Sequence, residues 1–450
     1  MSYEDWAAET TGKRVLALTR RPGGGRHQAF DLVLEGPNGV EEEYFLRADA
    51  GEPPVYEHYT LRRENEIYKA LGPTPVPVPG VVALHPTDPA AIMERSSGVA
   101  RYAGLEQEAQ QSIIDSFVPI LAALHDLEVS TLELPSLLPA RSIAEHVIQE
   151  LDIWESRLDY IPEPEPFLRT CFAWLRANVP QVDGPPSLIQ GDTGPGNFLH
   201  DGSKVTAVLD WELAHLGDPM EDLAWLATRN AQEPLPDYLR FVADYEKLRG
   251  PVDVFRIRYH MVFAELRIAV LSAHREAGDR ALLGEVGNGL IYGALHKRLT
   301  CEALAAALGV SLPPVERPEV SPTTSQNDLY EACLAQIREI IVPAISDPFA
   351  SARTKSMARI LKYLQGVDRF GAEHAAEEYL ELGELLGTPP TSLREAKVTL
   401  QDKVLAGELT AEDLLGHAWA SVRREHQAMG TAMGVLATRH LPDLSPLESA

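Results

Sequence analysis

Gln190-Gly191-Asp192-Thr193-Gly194-Pro195-Gly196-Asn197, followed past a short turn at Asp201-Gly202 by Val208-Leu209-Asp210-Trp211-Glu212, decides how this chain is read. Gly191, Gly194 and Gly196 allow the backbone angles of a tight loop. Asp192 is followed five residues later by an amide, Asn197. A second acid pair, Asp210 and Glu212, ends an apolar strand. Asn197, Asp210 and Glu212 together offer the hard oxygens that magnesium prefers. The remaining carboxylate, Asp192, can orient and deprotonate an attacking hydroxyl.

Working upstream, residues 15–95 read mostly as strands. VLALTRR (15–21) and AFDLVLE (29–35) flank PGGGRHQ, and EEEYFLRA (41–48) follows the turn Pro37-Asn38-Gly39. The turn Gly23-Gly24-Gly25 could bring backbone close to a triphosphate. Arg47 ends the third strand. Glu64 lies on the helical stretch LRRENEIYKAL (61–71), placed to pair with it. TPVPVPGVVAL (74–84) suits an edge or connector. AAIMERSSG (90–98) reads as a last strand, with Met93-Glu94-Arg95 at a hinge. The order of these groups is that of the protein-kinase template: a catalytic-loop Asp, a metal-binding Asn five residues on, and a metal-binding Asp on the next strand.

On these residues the chain resembles the aminoglycoside phosphotransferase/choline kinase-like family, over about residues 13–312. Its signature, His-Gly-Asp-x-x-x-x-Asn and then a strand ending Asp-x-Glu/Asp, stands here as QGDTGPGN and VLDWE. The resemblance implies ATP and Mg2+ as cofactors and Asp192 as catalytic base. It implies Asn197, Asp210 and Glu212 around the metal. Gly23 to Gly25, Arg47 with its partner Glu64, and the backbone of Met93, Glu94 and Arg95 would meet the nucleotide. Two positions depart from the pattern. Gln190 replaces His; its amide still donates a hydrogen bond but takes no positive charge. Arg47 replaces Lys, exchanging a point charge for a planar fork. This arginine and the string DWELAHLGDPMEDLAW resemble the kinase-like branch found on some acyl-CoA dehydrogenases, associated with hydroxyacyl-CoA substrates.

The expected architecture is α+β. It is a two-lobed protein-kinase-like fold, with an antiparallel-sheet N-lobe and a mainly helical C-lobe, followed by an all-α C-terminal domain. The expected domains are a nucleotide-binding lobe (1–95), a helical catalytic lobe (96–312), a linker rich in Pro, Ser and Thr (313–326) and a helical domain (327–450). Residues 328–427 resemble a small helical domain that also occurs beside such kinases. Its helices are expected to pack on the kinase lobe, shape the acceptor site or mediate oligomerisation. Ser392-x-x-Glu395 and Thr410-x-x-Asp413 mark helix starts there, with Gly407 as a stop. Leu329, Cys333, Ile337 and Ile341 recur every fourth residue.

The composition, 40 Lys and Arg against 66 Asp and Glu for a net charge of −26, argues against nucleic acid or an anionic membrane as partner. Twelve basic and 18 acidic residues follow residue 324, so −20 lies before it. An anionic nucleotide must then bind through magnesium, backbone amides and local bases such as Arg47. Cys171, Cys301 and Cys333 fit no zinc or disulfide pattern and read as small buried hydrophobes. The first residues are polar and acidic, unlike a signal peptide, and a cytoplasmic location is expected. His125 and His215 read as structural residues, Asp218 and Asp222 as helix caps or braces, and Trp211 and Trp225 as core. The expected function is transfer of the γ-phosphoryl group of ATP to a small-molecule hydroxyl, with a hydroxyacyl-CoA as leading acceptor. Two rivals are an aminoglycoside or other antibiotic phosphotransferase and an inactive kinase-like binding module.

Overall fold

The computed structural model describes residues 2–21, 27–49, 58–139, 141–277, 286–315 and 323–448, with backbone alone at His27 and 274–277. It divides into two compact units: residues 1–147, 180–254 and 442–450, and residues 148–179 and 255–441.

The first unit opens with α1 (Tyr3–Thr11), capped by the Ser2 side chain and ended by Gly12 in the left-handed region. The sequence reading assigned no element here. Strands β1 (Val15–Arg20), β2 (His27–Glu35), β3 (Glu41–Asp49), β4 (Val81–Leu84) and β5 (Ala90–Glu94) form an antiparallel sheet in the order β1-β2-β3-β5-β4. The proline-rich stretch thus supplies an edge strand, where a missing N–H costs no ladder bond. Alternation along the strands sends Leu32, Leu34, Leu46, Ala48, Ala90 and Ile92 to one face, where Trp6 and Ala7 of α1 cover them. Arg47, between Leu46 and Ala48, therefore faces the other way. Helix α2 (Leu61–Leu71) follows β3 and starts at Thr60, whose side chain accepts from the Arg63 N–H.

Helix α3 (Gln107–His125) comes next, then α4 (Ile143–Ser156) and α5 (Pro166–Ala177). Two short hairpin-like ladders carry the decisive stretch. β6 (Ser187–Ile189) pairs with β9 (His215–Gly217), and β7 (Phe198–His200) pairs with β8 (Val205–Val208). Residues 190–197 are the loop from β6 to β7, and Asp210 lies just past β8. Helices α6 (Met220–Gln232) and α7 (Tyr238–Arg249) follow. Trp211 and Trp225 are buried, as expected of core residues.

The second unit is helical: the last part of α4, α5, α8 (Val254–Ala277), α9 (Val286–Leu308), α10 (Asn327–Gln336), α11 (Val342–Ala344), α12 (Pro348–Leu386), α13 (Leu393–Leu405) and α14 (Ala411–Met433). Helix α15 (Ser445–Glu448) falls with the first unit. The two units do not part at the Pro-rich stretch 313–326. Helices α13 and α14 pack against α5, and α12 and α14 against α9. Gly366 makes one of these approaches possible: a Cβ there would lie 1.9 Å from the carbonyl oxygen of Ala428. The capping box at Thr410 and Asp413 is formed. Ser392 caps α13, and Gly407 takes a positive φ just beyond its end. The four-residue apolar recurrence is not a buried stripe, since Leu329, Cys333 and Ile341 are exposed and only Ile337 is buried. Cys333 therefore departs from the expected buried cysteine, while Cys171 and Cys301 match it. Among the described residues no helix is long and apolar enough to cross a membrane.

Candidate active site

The first unit brings Arg47, Glu64, Asp192, Asn197, Asp210 and Glu212 into one electrostatic cluster. Arg47 Nη1 donates to Glu64 Oε1 at 2.6 Å, and Arg47 Nη2 lies 3.8 Å from Asp210 Oδ1. Glu64 is fully buried, and the Arg47 side chain nearly so. Burial works against the Arg47 charge. The carboxylates of Glu64 and Asp210 more than offset it, so its pKa lies above the ordinary arginine range. A single cation thus joins β3, α2 and the segment after β8.

Asp192 is held by two residues. Asn197 Nδ2 donates to the Asp192 carbonyl oxygen and to Oδ2, both at 2.7 Å. Arg229 Nε donates to Oδ1 at 2.9 Å, and Arg229 Nη2 pairs with Oδ2. Oδ2 therefore carries two donors and Oδ1 one, which leaves Oδ1 the oxygen with room for a further hydroxyl. Because the Asn197 amide nitrogen is committed to Asp192, its oxygen is the end that can face a cation. Asn197 Oδ1, the Asp210 carboxylate and Glu212 are the oxygens that could serve a magnesium ion, which takes one or two carboxylates plus substrate phosphates. Among the described residues no group of three or more His, Cys, Asp or Glu side chains could hold a metal.

Asp210 is one of two non-glycine residues with positive φ among the described residues, at 59°. That conformation costs an L-residue about 1 kcal/mol or more. Two hydrogen bonds offset it. Its N–H donates to Tyr68 Oη at 3.0 Å, and its carbonyl oxygen accepts from Gln190 Nε2 at 2.9 Å. Burial pushes the Asp210 carboxyl up to about 7. Glu212, Glu64 and Asp192 add to this, and Arg47 opposes it.

The Gln190 side chain makes four hydrogen bonds within the site. Nε2 donates to the carbonyl oxygens of Leu209 and Asp210, while Oε1 accepts from the Asp192 N–H and the Thr193 hydroxyl. One uncharged amide joins the loop that carries Asp192 to the strand end that carries Asp210. Beneath the loop, Asp222 accepts from the N–H groups of Gln190 and Gly191 and from Thr193 Oγ1, at 2.7–2.9 Å. His125 Nε2 lies 3.0 Å from Asp222 Oδ2, and His125 Nδ1 lies 2.7 Å from Tyr245 Oη. With Asp222 as acceptor, Nε2 carries the proton and Nδ1 accepts from the tyrosine. His125 is thus structural, as expected, while Asp222 braces the loop rather than a helix. His215 pairs with Glu221, and Asp218 caps the start of α6 through the Met220 N–H.

Two glycines are required here. A Cβ on Gly191, at φ 81°, would lie 2.7 Å from the Leu213 carbonyl oxygen. A Cβ on Gly194, at φ 143°, would lie 2.9 Å from Arg229 Cβ. The stem of Arg229 therefore lies directly against the loop that holds Asp192.

Gly23, Gly24 and Gly25 lie outside the described residues. Met93 is buried on β5, opposite Phe45. The Glu94 N–H is committed to the Gly80 carbonyl oxygen at 2.8 Å. Arg95 pairs with Asp31 at 2.7 Å and Glu43 at 3.1 Å.

The sequence matches the phosphotransferase enzyme family (APH) over residues 18–254, more than half of the chain. The chain belongs to this phosphotransferase family. It is 28% identical over 224 residues to a probable acyl-CoA dehydrogenase, IBR3, of Arabidopsis thaliana, covering 45% of this chain and 27% of that protein. It is 28% identical over 196 residues to human acyl-CoA dehydrogenase family member 11, covering 41% of this chain and 25% of that protein. The chain thus spans about a quarter of the length of these curated relatives. Among solved structures, a candidate aminoglycoside phosphotransferase of Ralstonia eutropha aligns with a TM-score of 0.52 at 22% identity, covering 69% of this chain and 98% of that chain. The family assignment and the shared fold make this a phosphotransferase with a kinase-like fold.

Sequence reasoning missed two members of the phosphotransferase site. Tyr68 reads as one of several apolar positions on α2, and only its hydroxyl gives it a role. Arg229 stands seven residues after Asp222, two helical turns further on the same face of α6. That spacing is the signal that could have found it.

Proposed function

We propose that this phosphotransferase moves the γ-phosphoryl group of ATP, with magnesium, to the hydroxyl of a small organic acceptor. The observation that carries the reading is the convergence of Asp192 and Asn197 on one loop with Asp210 and the Arg47–Glu64 pair. Arg47, fixed by Glu64, binds and orients the nucleotide phosphates. Asn197, Asp210 and Glu212 would hold magnesium, which would offset charge on the phosphates. Asp192 Oδ1 accepts the acceptor's proton as the new oxygen–phosphorus bond forms and the bond between the β,γ-bridging oxygen and the γ-phosphorus breaks, releasing ADP. Positioning and electrostatics account for most of the rate in such transfers.

The proposed acceptor is a hydroxyacyl-CoA. Support comes from the relatives, which are acyl-CoA dehydrogenases by name. A screen of ATP with hydroxyacyl-CoAs, choline-like alcohols and aminoglycosides tests this. Phosphorylation of hydroxyacyl-CoAs is expected, and turnover of aminoglycosides alone would overturn the acceptor class.

A further inference from the structure

We infer that Tyr68 is a positioning residue that sets the metal-binding geometry of Asp210, so that one face of α2 controls both the phosphate cation and the metal carboxylate. The inference rests on the kinase reading above. Glu64 and Tyr68 stand four residues apart on α2 and so share a face. Glu64 holds Arg47, and Tyr68 Oη accepts the Asp210 N–H at 3.0 Å. A third residue of the same helix, Arg63, donates to the Ala214 carbonyl oxygen, four residues past Asp210.

Asp210 needs this hold because of its positive φ. Gln190 fixes its carbonyl oxygen and Tyr68 its N–H, so the peptide groups on both sides of its Cα are pinned. Without the tyrosine oxygen, one of those groups is released. The carboxylate is then no longer held toward Arg47. The Tyr68 ring is buried, which fixes the position of its hydroxyl. Displacing α2 would disengage Arg47 and Asp210 together.

The test is calorimetric titration of the full chain with AMP-PNP, with and without Mg2+, for the wild type, Tyr68→Phe and Glu64→Gln. The phenylalanine keeps the ring in its seat, and thermal unfolding of each variant monitors the fold. The wild type is expected to bind AMP-PNP more tightly with Mg2+. Tyr68→Phe is expected to match it without metal and to bind about fivefold more weakly with metal, the effect of one lost hydrogen bond. Glu64→Gln is expected to weaken both, because it acts on Arg47. An unaltered Mg2+ enhancement in Tyr68→Phe, or an equal loss with and without metal, would overturn the inference while leaving the kinase reading intact. A wild type that binds no AMP-PNP under either condition would remove the kinase reading and this inference with it.

Discussion

Arg229 grips Asp192 at two points, Nε to Oδ1 at 2.9 Å and Nη2 to Oδ2. Burial opposes the guanidinium charge, and the Asp192 carboxylate more than offsets this, holding Arg229 above its ordinary range. In the proposed reaction this pair aims Oδ1 at the acceptor. Arg229→Met is expected to lower kcat by about 100-fold, the scale of a lost charge-assisted contact to a reacting group. The KM for ATP should change much less. Arg229→Lys should recover only part, because an ammonium cannot repeat the fork. Steady-state turnover of γ-labelled ATP checks this, and an unchanged kcat in Arg229→Met would contradict it.

Asp222 carries the loop from below. Replacing it with Ala leaves the donors of Gln190, Gly191, Thr193 and His125 buried without this acceptor. The expected loss of stability is about 3 kcal/mol or more. Chemical denaturation of the wild type and of Asp222→Ala measures it. A loss below about 1 kcal/mol would mean that the loop is held elsewhere.

Asp210 gives a pH dependence with a defined sign. Its folded pKa, about 7, lies above the ordinary aspartate value of 3.8. Between these values the folded state binds more protons than the unfolded state, so this group lowers stability as pH rises from about 4 to 7. Metal-free protein should therefore lose thermal stability through this group over that window. Asp210→Asn should lose less over the same range. Magnesium affinity should run the other way, rising with pH as the carboxyl ionises. Melting curves and metal titrations at pH 5, 6, 7 and 8 test both trends.

The C-terminal helices predict a truncation phenotype. Leu414, Leu415, Ala418, Trp419 and Val422 of α14 are buried, and α14 packs on α5 and α9. Ending the chain after Thr324 would strip that cover. The truncated chain is expected to aggregate or to lose its cooperative melting transition. A soluble truncated chain with the full-length unfolding midpoint would contradict the packing described here.

The catalytic strand-loop-strand region was legible in sequence because local chemistry dictates it. Asp192, Asn197 and Asp210 stand at fixed spacings, and the glycines mark the loop. Strands β2 and β3 and helix α2 followed from alternation and helical spacing. Helix α1 was not legible, because its buried face is only Trp6 and Ala7 in an otherwise polar stretch. Which helices α13 and α14 pack on was not legible for another reason: the contact with α5 joins segments more than 200 residues apart. Tyr68 and Arg229 were missed because each acts through one polar group whose partner lies far away in sequence.

In the proposed reaction Asp192 serves ATP-dependent phosphoryl transfer to an organic hydroxyl. The most direct measurement is transfer of label from [γ-32P]ATP to hydroxyacyl-CoAs, alcohols and aminoglycosides, with and without Mg2+, by the wild type and a folded Asp192→Asn variant. A labelled organic product is expected with the wild type and Mg2+, and a loss of at least about 1,000-fold in Asp192→Asn. Equal labelling by Asp192→Asn, or no product from any acceptor together with no binding of Mg-ATP, would contradict it and leave a kinase-like binding module.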